Sequence, residues 1–277
     1  MPPVDVDATV ISNVRLSRDY SVITLAAPDV GTRTLPGQFV MLKAGRTTDP
    51  LLRRPFSVFE VIRDAAGRVT GVSILNKVAG RSTGMLYDAA PGDRVACLGP
   101  LGQSFKTVPP PTQAWMVAGG VGLAPFATLA EALADARTPM TLFYGARSGG
   151  ELFYLDFFDR LGVTLVLATE DGTRGAKGRV TAPLETALRN LGGSQEPPYA
   201  APVMIYACGP EPMLAAVARL AVAYHQPSQV SVERTMGCGL GGCYSCVVSV
   251  RHGDEHAHLV RSCISGPVFD GAELVWD

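Results

Sequence analysis

Charge and aromatic rings are both scarce in this 277-residue chain, where 18% of residues are Asp, Glu, Lys or Arg and 7% are Phe, Trp or Tyr. With 24 Lys and Arg against 25 Asp and Glu, the formal net charge is -1. That leaves no basic face for a nucleic acid or an anionic membrane and no acidic tail. Six cysteines are too few for a disulfide scaffold, and Met1-Pro2-Pro3-Val4-Asp5 lacks the basic and apolar stretches of a signal peptide. A reducing cytoplasm is the expected setting. From Thr107 to Ala130 there is no charged residue, but Pro109-Pro110-Pro111, Gly119-Gly120, Gly122 and Pro125 interrupt the run. A membrane span needs about 20 consecutive apolar residues, so strand, turn and helix are expected there instead.

The composition, 47% hydrophobic with 30 glycines and 21 prolines, is that of a folded chain long enough for more than one domain. Residues 1–106 show short apolar runs at Ala8–Ile11, Ser21–Leu25, Phe39–Leu42, Phe56–Val61, Val69–Leu75 and Arg94–Leu98. Breaks at Pro36-Gly37, Ala66-Gly67, Pro91-Gly92-Asp93 and Gly99–Gly102 punctuate them, the rhythm of an antiparallel barrel with one short helix after Gly80. Residues 107–226 alternate strand and helix, which predicts a parallel sheet flanked by helices. The segment from Gly192 to Tyr199 reads as a solvated loop. Residues 227–277 form a third, glycine- and cysteine-rich module with too little apolar mass for its own core, so it needs a staple.

Cys238, Cys243, Cys246 and Cys263 can supply that staple. The first three follow C-x4-C-x2-C, the spacing of plant-type 2Fe-2S ligation. Soft thiolates suit iron, and four complete two tetrahedral irons bridged by sulfide. Gly237, Gly239, Gly241 and Gly242 are expected to give the loop positive φ values and to aim N–H groups at sulfur. Zinc normally takes two C-x2-C pairs and only one is present, yet zinc and unmetallated thiols both stay open at this point. Cys97 and Cys208 lie on or beside predicted strands, where a buried inert thiol is expected.

Gly119-Gly120-Val121-Gly122-Leu123-Ala124-Pro125 follows a buried strand and opens a helix, a place for a pyrophosphate. It is not G-x-G-x-x-G, and alone it reads first as an ordinary tight connection. Cys208-Gly209-Pro210 also follows a strand and precedes a helix, which sets both loops at the carboxyl edge of one sheet, where ligands bind in such folds. His252, His256 and His258, with Asp254 and Glu255, read as a solvated hairpin tip rather than a metal site. No Ser-His-Asp set or paired acids point to hydrolysis.

The order Arg54-Pro55-Phe56-Ser57, Gly119 to Pro125, Cys208-Gly209-Pro210 and the four-cysteine tail resembles the ferredoxin reductase superfamily. Within it, Glu233 to Cys246 and Cys263 to Phe269 resemble the family of electron transfer subunits of NAD-dependent (class 1B) dihydroorotate dehydrogenases. The likeness runs over essentially the whole chain. It implies an FAD-binding β-barrel, a parallel-sheet NAD-binding domain and a 2Fe-2S module. Carried over by motif, Arg54 holds the FAD pyrophosphate, Pro55, Phe56 and Ser57 line the isoalloxazine, and Leu75, Asn76 and Lys77 border the rest of the flavin. Ser82 and Thr83, in the turn that starts at Gly80, complete the phosphate site, although both also suit simple helix caps. Gly119, Gly120, Gly122, Cys208, Gly209 and Pro210 take the NAD, and Cys238, Cys243, Cys246 and Cys263 the cluster.

The resemblance further implies an FMN-containing catalytic subunit that oxidises dihydroorotate, in a heterotetramer with two subunits of each kind, serving pyrimidine biosynthesis. The partner would dock around Leu240 and Tyr244. Arg147 and Ser148 stand where NADP-dependent members of the superfamily hold a 2'-phosphate, so the residues themselves leave NAD and NADP open. Arg234 and Thr235, where relatives often carry an acid and a base, and a longer loop from Gly192 to Ala201 depart from the family pattern. Competing readings are a flavoprotein subunit that serves ferredoxin, a hydrogenase or a sulfur-reducing partner, and a structural zinc-binding interaction module.

Overall fold

A computed structural model of the chain describes residues 2–45, 48–193, 202–253 and 256–276. These fall into two compact units: Met1–Ser104 with Arg234–Val247 and Arg261–Pro267, and Phe105–Glu233 with Val248–Val260 and Val268–Asp277.

In the first unit the strands are β1 (Val4–Arg15), β2 (Tyr20–Ala26), β3 (Phe39–Ala44), β4 (Arg54–Ser57), β5 (Glu60–Arg63), β6 (Val69–Lys77) and β7 (Arg94–Leu101). Two helices accompany them, α1 (Pro28–Gly31) and α2 (Arg81–Asp88). The sheet order is β4-β3-β7-β1-β2-β6-β5 with every neighbouring pair antiparallel. Its two edge strands are consecutive in the chain. At their junction the Val58 N–H donates to Gln38 O and the Phe59 N–H to Ser73 O, so the backbone steps from the β3 side to the β6 side and curls the sheet closed. The single strand expected over Phe56–Val61 is therefore two, because the buried pair Val58 and Phe59 turns the corner. Gly99-Pro100, expected as a break, instead lies inside β7.

Alternating side chains of these strands, among them Ile23, Leu25, Val40, Leu42, Val72, Ile74 and Cys97, fill the barrel core. Burial pushes the Cys97 thiol up to about 12, so it packs as a small apolar group. From β1, the Asn13 side-chain N–H donors reach the carbonyls of Leu86, Tyr87 and Ala89 at 2.9–3.0 Å. They satisfy acceptors that the end of α2 leaves open.

The second unit holds β8 (Gln113–Gly119), α3 (Ala124–Asp135), β9 (Met140–Ala146), α4 (Leu155–Arg160), β10 (Thr164–Thr169), β11 (Ala176–Lys177) and α5 (Thr181–Gly193). It continues with β12 (Val203–Cys208), α6 (Glu211–Ala223) and β13 (Ser228–Ser231). The order is β11-β10-β9-β8-β12-β13, all parallel, extended by one antiparallel strand at Val268–Asp270. Successive strands run outward from β8 to β11 and then resume on its other side at β12. Such a reversal opens a crevice at the carboxyl ends of β8 and β12. Gly192 and Gly193 close α5, and the rest of the expected loop to Ala201 lies outside the described residues. Among the described residues no helix is long and apolar enough to cross a membrane.

After the cysteine loop the chain forms a hairpin, β14 (Val247–Val250) with β15 (His258–Arg261). Val248 and Val250 join the core of the second unit with Leu274 and Phe269. The chain is back in the first unit at Arg261, a helical turn α7 (Ser262–Ser265) follows, and the strand Val268–Asp270 is β16.

Candidate cofactor sites

The cysteine loop packs on the barrel within the first unit. Met236, Cys246 and Cys263 share a buried cluster with Phe39, Met41 and Leu101. The four thiols share one neighbourhood as two pairs, Cys238 beside Cys243 and Cys246 beside Cys263, with Cys238 also near Cys263. Two irons need that division, two thiolates each, whereas a single zinc gathers all four. The donor set thus fits a two-iron cluster, with one pair buried and Cys243 exposed.

Backbone amides are aimed at these sulfurs. The Leu240 N–H reaches Cys238 Sγ at 3.3 Å, the amides of Ser245 and Cys238 reach Cys243, and that of Gly241 reaches Cys263. The Ser245 hydroxyl and these donors hold the Cys243 thiol near 6, while burial and neighbouring Cys246 push Cys263 up to about 12. Gly239 (φ +73) and Gly241 (φ +80) take the left-handed backbone the loop needs. Gly237 and Gly242 do not; the further positive φ belongs to Tyr244, at 59°. At Gly237 the requirement is space, since a Cβ there would stand 3.2 Å from Cys243 Sγ.

At the crevice of the second unit, Cys208 pairs in register with Ala118, one residue before the glycine turn. A 3-10 turn, Gly120–Leu123, leads straight into α3, and Gly120 has φ +56. A Cβ on Gly122 would lie 2.1 Å from the Cys208 carbonyl oxygen, and one on Gly209 would lie 3.0 Å from the Gly119 nitrogen. On Gly119 it would meet Pro210 Cδ and Met213 Sδ at 2.8 Å. The two expected nucleotide loops interlock backbone against backbone at Gly122 and Gly209, and the side chains of Pro210 and Met213 fill the space over Gly119. Burial, with Glu233 nearby, raises the Cys208 thiol to about 12 and keeps it protonated.

Beyond β9, along the same carboxyl edge, Arg147 is gripped by Glu151 at 2.7 Å and 3.3 Å. The carboxylate compensates the guanidinium charge at this position after β9. The Arg147–Glu151 pair depends on the 3-10 turn Gly149–Glu151, which the bare sequence does not reveal.

On the barrel, β4 presents Arg54 exposed, with Pro55, Phe56 and Ser57 partly buried. Phe56 packs on the barrel core, and strand alternation sets Pro55 and Ser57 on the opposite face. Leu75, Asn76 and Lys77 pair with Val22, Ser21 and Tyr20. Asn76 is buried, donates to Thr83 O at 3.1 Å, and keeps a buried Oδ1 with no partner. Both β4 and α2 contact β6. Thr83 Oγ1 accepts from the N–H groups of Ala79 and Gly80 at 2.8 Å and 3.0 Å. That hydroxyl is spent on its own turn, while Ser82 is partly exposed in the first turn of α2. An exposed arginine, a helix start and an orphaned buried amide oxygen form a set that suits a flavin with a diphosphate.

Elsewhere, His252 Nδ1 lies 2.8 Å from Glu273 Oε1 and its ring centroid 5.5 Å from that of His258, both on the surface with His256. Asp254 and Glu255 lie outside the described residues. Arg234 is half-buried and Thr235 exposed.

The architecture has close counterparts. A chain of the NADH-dependent reduced ferredoxin-NADP oxidoreductase, solved for its flavin-based electron bifurcation, superposes with a TM-score of 0.80 at 27% identity, covering 98% of this chain and 91% of that one. A ferredoxin reductase of carbazole 1,9a-dioxygenase shares the fold at a TM-score of 0.67 and 23% identity, over 82% of this chain and 67% of that one. Residues 116–219 match the oxidoreductase NAD-binding domain. The protein is a ferredoxin-reductase-like oxidoreductase with an FAD-binding type of barrel, an NAD-binding domain and an iron-sulfur domain. Residues 233–275 match the iron-sulfur cluster binding domain of dihydroorotate dehydrogenase B. The electron transfer subunit of dihydroorotate dehydrogenase B (NAD(+)) from Desulforamulus reducens is 35% identical over 98% of both chains. That from Geobacillus kaustophilus is 36% identical over 96% of this chain and 97% of its own. The chain belongs to the family of dihydroorotate dehydrogenase B electron transfer subunits.

Proposed function

We propose that this chain relays electrons from the FMN of a separate catalytic subunit, which oxidises dihydroorotate in pyrimidine biosynthesis, through a 2Fe-2S cluster and FAD to NAD+. The observation that carries this is the pairing of Cys238 with Cys243 and Cys246 with Cys263 in a loop seated on the barrel. When bound, the flavin supplies the exchange between the two-electron nicotinamide and the one-electron cluster.

The residues of the chain bind and orient. Arg54 and the start of α2 with Ser82 hold the FAD diphosphate, Pro55, Phe56 and Ser57 set the ring, and Leu75, Asn76 and Lys77 border it. Thr83 acts one step back, as the cap that shapes the turn. Gly119, Gly120, Gly122, Cys208, Gly209 and Pro210 form the NAD seat, and Glu151 with Arg147 favours NAD over NADP. Function divides the chain into 1–106 for FAD, 107–226 for NAD and 227–277 for the cluster. The compact units cut it otherwise because the cysteine loop buries itself on the barrel. Leu240, Tyr244 and Ile264 are 54%, 62% and 43% exposed beside the cluster ligands. They form an apolar rim for the catalytic subunit, in a cytoplasmic assembly of two subunits of each kind.

The test is co-purification from the native host followed by assay. The expected result is a stable complex that forms orotate with NAD+, a single chain that reduces dyes with NADH but forms no orotate, and weakened association in Tyr244→Glu. Orotate formation by the single chain, or co-purification with a ferredoxin or hydrogenase partner instead, overturns the assignment.

A further inference from the structure

We infer that Ser245 is a positioning residue that sets the reduction potential of the cluster through a hydrogen bond from its hydroxyl to Cys243 Sγ. Ser245 Oγ lies 3.2 Å from that sulfur, and the same oxygen accepts the Gly237 N–H at 3.0 Å. Between the free side chains either atom can donate, but a thiolate that ligates iron has no proton, so toward a ligating Cys243 the hydroxyl is the donor. Tyr244, at φ 59, makes the turn that brings the side chain of Ser245 back over the ligand two positions earlier. Gly237 has no Cβ that would stand against Cys243 Sγ, so the amide, the hydroxyl and the sulfur line up.

The pair formed by Cys238 and Cys243 is the one this bond touches. The buried Cys246 and Cys263 sit among Met236, Leu101 and Phe39. An added electron raises the negative charge on the sulfurs, so a donor held on one of them stabilises the reduced state and raises the potential. The inference rests on the cluster assigned under the proposed function and concerns a residue which that assignment leaves without a role.

The experiment is a redox titration of the full-length holoprotein as wild type, Ser245→Ala and Ser245→Thr, followed by EPR and visible absorbance, with dithionite as reductant. Ser245→Ala at full iron content is expected to shift the oxidised-to-reduced ratio about tenfold toward oxidised at a fixed potential. For one electron that is about 59 mV. Ser245→Thr, which keeps the hydroxyl, is expected to titrate with the wild type. Equal midpoints for all three overturn the inference while leaving the cluster in place; a colourless wild type fails the functional reading instead. Should Ser245→Ala lose its iron, the near-isosteric pair Ser245→Thr and Ser245→Val decides: a tenfold displacement in Ser245→Val alone supports the inference, and equal midpoints for the two contradict it.

Discussion

Glycine does different work in the two ligand loops. In the nucleotide loops of the second unit it removes bulk where two backbones touch: Gly122 admits the Cys208 carbonyl and Gly209 admits Gly119. In the cysteine loop of the first unit Gly237 leaves room for Cys243 Sγ, while Gly239 and Gly241 combine a positive φ, which Gly120 also has in the second unit, with close approach to Met41 and Ile264. Gly242 does neither, because its φ is not positive and a Cβ there would meet nothing within 4 Å. Equal letters in a motif thus carry unequal constraints, and the constraint is set by what lies across from each.

Breaking the nucleotide seam has the largest expected effect. Gly122→Ala must push two backbones apart and should cost about 3 kcal/mol, the upper end of overpacking. The readouts are a lowered Tm and NADH affinity weakened on the order of a hundredfold. Next comes Gly241→Ala, which forces a side chain into the left-handed region for roughly 1–2 kcal/mol and crowds Ile264. Slower cluster assembly, measured as iron per chain, is the expected sign. Glu151→Ala sharpens the nucleotide side: releasing Arg147 should raise kcat/KM for NADPH about tenfold, about 1.4 kcal/mol, with little change for NADH. Gly242→Ala is the control and should stay within about 0.5 kcal/mol of wild type in thermal unfolding. A Gly242→Ala effect as large as that of Gly241→Ala would erase the distinction drawn between them.

Much of this was legible in the residues. Strands bounded by glycine and proline, the change to alternating strand and helix after the triple proline, and the cysteine spacing are local signals, and local signals survive in a bare sequence. What was not legible depends on distant partners. Nothing near Val58 and Phe59 announces that the chain crosses there from β3 to β6. The strand Val268–Asp270 joins the nucleotide sheet by pairing with Ser228–Ser231, and the division of the C-terminal segment between two units follows from where it buries its apolar residues. The same holds within the candidate sites. Thr83 reads by motif as a phosphate ligand and by residue type as a helix cap, and the fold shows the cap, which the bare motif does not single out. The cysteine spacing carries no signal for Ser245, whose contacts with Gly237 and Cys243 arise only in the fold.

The central claim is that one chain couples a nicotinamide to a two-iron cluster through a flavin. It is tested most directly by adding NADH anaerobically to the purified holoprotein, with EPR spectra before and after. The account predicts two irons and two acid-labile sulfides per chain, and a cluster spin signal that NADH elicits and Cys246→Ser abolishes. A protein that binds one zinc per chain, or a flavin bleached by NADH beside a cluster that stays EPR-silent, would contradict it.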